Sequence, residues 1–306
     1  MTAEGTHAGA FTPADWAMLA TIAGFWGSSF LLTAIALDHF GPGLVALMRL
    51  IFAVGALAAW PAARRPVARR DWPAVVAIGV LWMTLPFVLF PLAQERIDSS
   101  FAGMLNAGVP LYGALFAAML LRRRPGWLQG VGLLVGFVGV LVISLPSALD
   151  EGAAALGIVL AVLGSVSFAL ATNLVVPLQQ RYGALPVLLR AQLVGLVIVL
   201  PYGVFDAFDA EFAWGSVAAT VGLGSVSAGF VVVLMSVLVG RVGAARGGIT
   251  MYFIPIVAIV LGVSFRDESI ELVALLGIGL VLVGAFLTSR IDRAQVRAMA
   301  RGGVKG

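Results

Sequence analysis

Arg49 stands about seven residues inside one long apolar run of this chain, and Arg190 about one turn inside another. A guanidinium near the centre of a membrane-spanning helix costs about 2.5–3.5 kcal/mol, so each arginine needs compensation. Arg190 is close enough to the end of its run to snorkel its charge to the interface. Arg49 is not, and two roles fit it. It is either a cationic contact for an anionic or carboxylate-bearing solute, or a structural group that caps backbone carbonyls or braces the outer end of its helix. No carboxylate lies deep in any run; Asp15, Asp38 and Glu271 fall at run ends. The two histidines, His7 and His39, sit in the N-terminal tail and in a connector, and there is no cysteine. Thiol catalysis, Cys-ligated zinc and disulfides are thus excluded, no metal or other cofactor is expected, and a proton relay has no intramembrane acid to use.

The remaining candidates are polar or aromatic residues far from the ends of their runs. Trp26, Trp82, Thr84, Asn106, Tyr112, Ser167, Ser227 and Tyr252, with Arg49, form the candidate solute-binding set. Tryptophan normally anchors at membrane interfaces, so central Trp26 and Trp82 are either core or the wall of an apolar pocket. An amide in hydrocarbon needs several partners, which singles out Asn106 and also Gln192. Serine and threonine often bond their own backbone or let helices approach. Pro110 and Pro255 break backbone bonding about midway along their helices. Paired interruptions at corresponding positions point to a transporter's binding site and are the candidate hinges.

The elements that would position these residues follow from hydropathy. The 306 residues are 61% hydrophobic and only 11% charged, with a mean hydropathy of +1.05. A soluble chain carries about 25% charged residues. Helices are expected at about 15–37, 43–60, 73–93, 99–121, 126–145, 156–178, 186–204, 213–239, 247–264 and 271–289. A helix needs about 20 apolar residues to cross ~30 Å of hydrocarbon. The expectation is an all-α integral membrane protein of ten transmembrane helices. The first 14 residues hold no Lys or Arg, so the first helix reads as retained rather than as a signal peptide.

The connectors give the orientation. Arg64, Arg65, Arg69, Arg70, Arg122, Arg123, Arg124, Arg181, Arg241, Arg246, Arg290, Arg293, Arg297, Arg301 and Lys305 fall on one side, against Arg96 and Arg266 on the other. Fifteen against two places both termini in the cytoplasm. The acids Asp38, Glu95, Asp98, Asp150, Glu151, Asp206, Asp209, Glu211, Asp267, Glu268 and Glu271 gather on the opposite side. The pI of 10.1 therefore reflects topology rather than nucleic-acid binding.

An internal repeat divides the chain into residues 1–145 and 146–306. At an offset of 145, Pro110 meets Pro255, Gly132 meets Gly277 and Gly139 meets Gly284. Earlier, an offset of 142 pairs Trp26 with Phe168 and Phe40-Gly41 with Tyr182-Gly183. Five helices per half is an odd number, so the second half must cross the membrane the other way up. Inverted repeats are a recurrent plan of secondary transporters. The Gly132, Gly136 and Gly139 series reads as close helix packing.

Trp26-Gly27-Ser28-Ser29-Phe30, Arg49, Pro110 and the Gly132/Gly136/Gly139 helix resemble the EamA repeat of the drug/metabolite transporter superfamily, and Pro255, Glu268 and Gly277/Gly284 resemble a second copy. One departure is Arg123, where the acid usual after the fourth helix is missing; Glu268 keeps it in the second half. The resemblance implies a ten-helix inner-membrane exporter of amino acids or other small metabolites, with the lipid bilayer and a small-molecule solute as its partners. The site is expected between the halves, walled by the first, third, fourth, sixth, eighth and ninth helices. Uptake or counter-exchange of a sugar-like or phosphorylated solute is the alternative within transport, and would want several cations. A membrane enzyme acting on lipid would need a cluster of ionisable residues at one interface. Monomer and homodimer both remain open.

Overall fold

The computed structural model describes residues 12–120, 127–148, 153–242 and 248–289, and no strand occurs among them. Arg122, Arg123, Arg124, Arg246, Asp150, Glu151, His7 and the basic tail from Arg290 onward lie outside these residues. Apolar helical stretches fall on the expected positions. They are α1 (Pro13–Leu37), α2 (Pro42–Ala58), α3 (Arg69–Gln94), α4 (Ser99–Met119), α5 (Trp127–Ala148), α6 (Ala153–Tyr182), α7 (Ala184–Asp206), α8 (Trp214–Val242), α9 (Ile249–Arg266) and α10 (Leu272–Ser289). Seven are long and apolar enough to cross a membrane; the described apolar parts of α2, α5 and α10 are shorter.

Local chemistry sets the helix ends. Thr12 and Asp15 form a reciprocal capping box ahead of Pro13, satisfying N–H groups that open α1. Gly183, at φ 83°, closes α6 in the left-handed region, where a side chain is disfavoured.

Polar contacts sort the helix ends into two rims. At one rim Asp15 of α1 meets Arg241 of α8 at 2.7 Å, and Asp71 of α3 meets Arg181 of α6 at 2.8 Å and the Tyr182 hydroxyl. There Arg190 of α7 donates to the carbonyl of Ala63, just beyond α2. At the other rim Arg266 of α9 grips Asp38 of α1 through two bonds of 2.8 and 2.9 Å. The Gly43 amide of α2 donates to Asp206 of α7 at 2.6 Å. Tryptophans mark the same rims: Trp16, Trp60, Trp72 and Trp127 are exposed at the first and Trp214 at the second, as at membrane interfaces. Trp26 and Trp82 are the ones left in the middle.

Two helix pairs run antiparallel. Along α2 and α7, Gly43 lies against Tyr202 and Asp206, Leu47 against Gly203, and Leu50 against Gly195. Along α5 and α10, a Cβ at Gly139 would lie 2.6 Å from the Val281 amide nitrogen, and one at Gly277 2.7 Å from that of Ile143; Gly284 is pressed equally onto Gly136. The contact is reciprocal, Gly139 touching Gly277 and Gly284 touching the carbonyl of Gly132. Only glycine lets the backbones approach this closely.

Hydropathy gave no hint of two π-helical segments, Gly79–Thr84 in α3 and Gly222–Phe230 in α8. Moved by the offset of 145, the first falls inside the second. In α4 the first helical piece ends at Asn106, and a second starts at Val109 with Pro110 in its first turn. A 3-10 turn (Gly248–Tyr252) likewise precedes Ile254, with Pro255 next. Proline in a first turn has no hydrogen bond to break. Each proline thus sits just past an interruption, at the same place in each half.

Candidate functional site

Widened π-turns leave carbonyls without their usual partners, and side chains from the same helix and from neighbouring ones collect them. In α3, Thr84 Oγ1 donates to the Gly79 carbonyl at 3.1 Å, and Ser167 Oγ of α6 to Leu81 at 2.8 Å. In α8, Trp26 Nε1 donates to the Ser227 carbonyl at 3.0 Å, and Gln192 Nε2 of α7 to Ala228 at 2.8 Å. The Ser227 hydroxyl itself donates to the Phe25 carbonyl. The two π-segments therefore bind α3 to α6, and α8 to α1 and α7, around the middle of the molecule.

Between them lies a cavity of about 850 Å³, its open mouth included. Its walls come from α1, α2, α3, α4, α6, α7, α8 and α9, so α2 and α7 join the six helices expected from sequence. Most of the lining is apolar and aromatic: Trp26, Phe30, Trp82, Phe87, Phe90 and Phe168 carry the largest faces. The Phe30 and Phe90 rings meet edge to face at 5.6 Å, and Trp82 tilts against Phe168 at 5.2 Å.

Of the sequence candidates, Trp26, Arg49, Trp82, Asn106 and Ser227 line this cavity, and Thr84, Tyr112, Ser167 and Tyr252 do not. The reasons are physical. Thr84 and Ser167 are turned to π-segment carbonyls. Tyr112 is buried against Phe137, with ring centroids 5.7 Å apart, and the Tyr252 hydroxyl donates to Ala285 of α10 at 2.9 Å. Pro110 and Pro255 also stand off the cavity wall, at the interruptions described above.

Arg49 is the cation in the lining. Its guanidinium lies 3.9 Å from the centre of the Phe87 ring, a geometry worth about 2 kcal/mol when desolvated. Its Nε is sealed in protein with no acceptor, and among the described residues no carboxylate or carbonyl pairs with the group. No carbonyl cap on Arg49 is therefore seen among the described residues. Three amides accompany it. Gln192, almost wholly buried, has its nitrogen committed to Ala228 and its Oε1 bare; Gln94 Oε1 is bare too. The Asn106 amide makes no hydrogen bond among the described residues. Each buried, unmet carbonyl costs about 1–3 kcal/mol. Among the described residues the lining contains no Asp or Glu, so they offer one fixed positive charge and several free acceptors. Sequence reasoning marked Gln192 as an amide needing partners but missed Gln94, which looks like a rim residue at the end of α3.

At the rim nearer Gln94, Asp267 takes φ 53° and turns the chain after α9 so that Glu268 reaches the first turn of α4. Its carboxylate accepts from the Ser99 amide (3.0 Å), the Ser99 hydroxyl (2.6 Å) and the Ser100 amide (2.9 Å). A carboxylate at a helix N-terminus is favoured by the helix dipole. Burial raises the Glu268 pKa, but the hydrogen bonds from Ser100 and Ser99 outweigh it and hold the group below its ordinary range. Neighbouring Asp98 is pushed up, by burial first and then by the charge of Glu268.

The sequence profile described as the EamA-like transporter family matches residues 15–145 and again residues 155–290. A protein of Streptantibioticus cattleyicolor named a probable terminal-alkyne amino-acid exporter is 31% identical over 90% of this chain and 93% of its own length. An uncharacterized transporter of Archaeoglobus fulgidus is 25% identical over 90% of this chain and 98% of its own. A solved crystal structure shares the fold with a TM-score of 0.60, covering 90% of this chain and 96% of its own at 17% identity. With two copies of the family's repeat spanning most of its length, the chain belongs to the EamA-like transporter family.

Proposed function

We propose that the protein is a secondary carrier of the bacterial cytoplasmic membrane that exports small carboxylate-bearing metabolites, amino acids foremost, by alternating access. The observation that carries this reading is the unpaired Arg49 guanidinium, stacked on Phe87 in an otherwise aromatic cavity. Such a site suits one carboxylate joined to a compact apolar body. A phosphorylated solute would want further cations, and the lining supplies one. The relative named as an amino-acid exporter supports the same class.

Ten spans in two inverted halves are part of the proposal. Supporting them, α2 runs antiparallel to α7 and α5 to α10, each helix five places from its counterpart. The paired π-segments and the interruptions before Pro110 and Pro255 recur at equivalent places. Exchanging the conformations of two such halves would open the cavity to alternate sides. The rim with Asp15, Asp71 and Trp16 would then face the cytoplasm, because the basic connectors lie there.

The test is counterflow of radiolabelled leucine into proteoliposomes. Wild type should exchange it, Arg49→Gln should slow exchange at least tenfold, and Arg49→Lys should keep part of the rate. Equal rates for wild type and Arg49→Gln would overturn the reading.

A further inference from the structure

Resting on the exporter reading above, we propose that Asn106 receives the ammonium group of the solute whose carboxylate Arg49 holds, so that the cavity selects neutral apolar α-amino acids over simple carboxylates of the same shape.

The argument begins with depth. Phe30 and Phe90 touch, and a Cβ at Gly103 would lie 3.4 Å from the Phe30 ring, so Phe30, Phe90 and Gly103 share a level. Phe87 precedes Phe90 by three residues on α3, and Asn106 follows Gly103 by three on α4. The ends of α3 and the start of α4 are joined by a short turn, so these two helices run in opposite directions. Both steps therefore lead the same way, about 4.5 Å deeper at ~1.5 Å per residue. Arg49 lies over Phe87. The guanidinium and the Asn106 amide thus line one cavity at one depth, from α2 and α4. Neither has a partner within the protein among the described residues.

The charge inventory says what fits between them. Arg49 supplies donors in a planar fork matched to a carboxylate. Among the described residues no acid lines the cavity to meet a solute's positive end; what they offer is neutral carbonyl oxygen, at Asn106 here and at Gln94 and Gln192 elsewhere in the wall. An ammonium has three donors and no acceptor, so bare amide oxygens suit it. A second carboxylate on the solute would find no cation, and a cationic side chain would face Arg49. The side chain would lie against Trp26, Trp82, Phe87 and Phe168, and the Trp26 indole N–H is already committed to Ser227. An apolar side chain is what those faces accept.

Binding to the purified full-length protein in detergent micelles, measured by calorimetry, separates the possibilities. The probes are leucine, its deaminated analogue 4-methylpentanoate, and N-acetylleucine. Wild type should bind leucine at least tenfold more tightly than either analogue. Asn106→Leu should bring leucine down to the level of 4-methylpentanoate while that analogue's affinity stays within about twofold, showing a folded site with its carboxylate contact intact. Asn106→Asp, which keeps an acceptor, should retain the preference for leucine; this variant decides the matter if Asn106→Leu does not fold. Equal binding of leucine and 4-methylpentanoate by wild type, or an undiminished preference in Asn106→Leu, overturns the ammonium subsite and leaves the carboxylate exporter standing. Loss of preference in Asn106→Asp overturns it likewise. Failure of wild type to bind any of the three probes would sink the exporter reading together with the subsite.

Discussion

Glu268 fastens the loop after α9 to the first turn of α4 through bonds that are strongest while it is ionised. Its pKa is depressed from 4.5, so the stabilisation is complete above that value and is lost as pH falls through the lowered one. Charge-assisted bonds are worth about 1.5–3 kcal/mol, and partial exposure discounts this. Glu268→Gln should lower the melting temperature in detergent by roughly 2–4 °C at pH 7, and the gap should close as pH falls through the depressed pKa. A gap that does not change with pH down to the acid limit of the folded protein would remove the charge from this account. The acid itself was legible in the sequence, while its partners, Ser99 and Ser100, lie far away in the other half. Arg49 and Asn106 were legible for a different reason: a charge or an amide in hydrocarbon is conspicuous without a structure. Thr84 and Ser167 stand off the cavity because each hydroxyl is spent on a π-turn carbonyl, a contact that one dimension does not show.

At the scale of elements, hydropathy located each helix to within a few residues, because length and apolarity are linear properties of the chain. It could not reveal the π-segments, since an i→i+5 turn keeps the same apolar composition as an α-turn. Nor could it add α2 and α7 to the cavity wall, which depends on how helices lean together. Glycine spacing was more informative, and the sequence reading of the Gly132, Gly136 and Gly139 series as packing matches the α5–α10 contact. There Gly139 meets backbone rather than a yielding side chain. Gly139→Leu should therefore separate α5 from α10 and reduce the protein recovered folded from membranes several-fold. Gly130, with open space where a Cβ would point, should accept alanine with unchanged yield. Size-exclusion chromatography of the two variants in detergent checks both outcomes.

For the whole molecule, the proposed topology puts the rim of Asp15 and Asp71 inside the cell, on the side of the basic connectors. The chain has no cysteine, so single substitutions report cleanly. Ala68→Cys should react in intact cells only with membrane-permeant thiol reagents, and Ala210→Cys with impermeant ones as well; the reverse pattern would invert the topology. The described cavity lining has no acid, so reconstituted protein should equilibrate leucine across liposomes without an imposed pH or sodium gradient. Uphill accumulation driven by protons would instead turn attention to the rim acids Asp98 and Glu268. The paired π-segments also bear on the kinship of the two halves: moved by the spacing that joins Pro110 to Pro255, the first falls inside the second, so the widened turn is a feature that both copies of the family's repeat share.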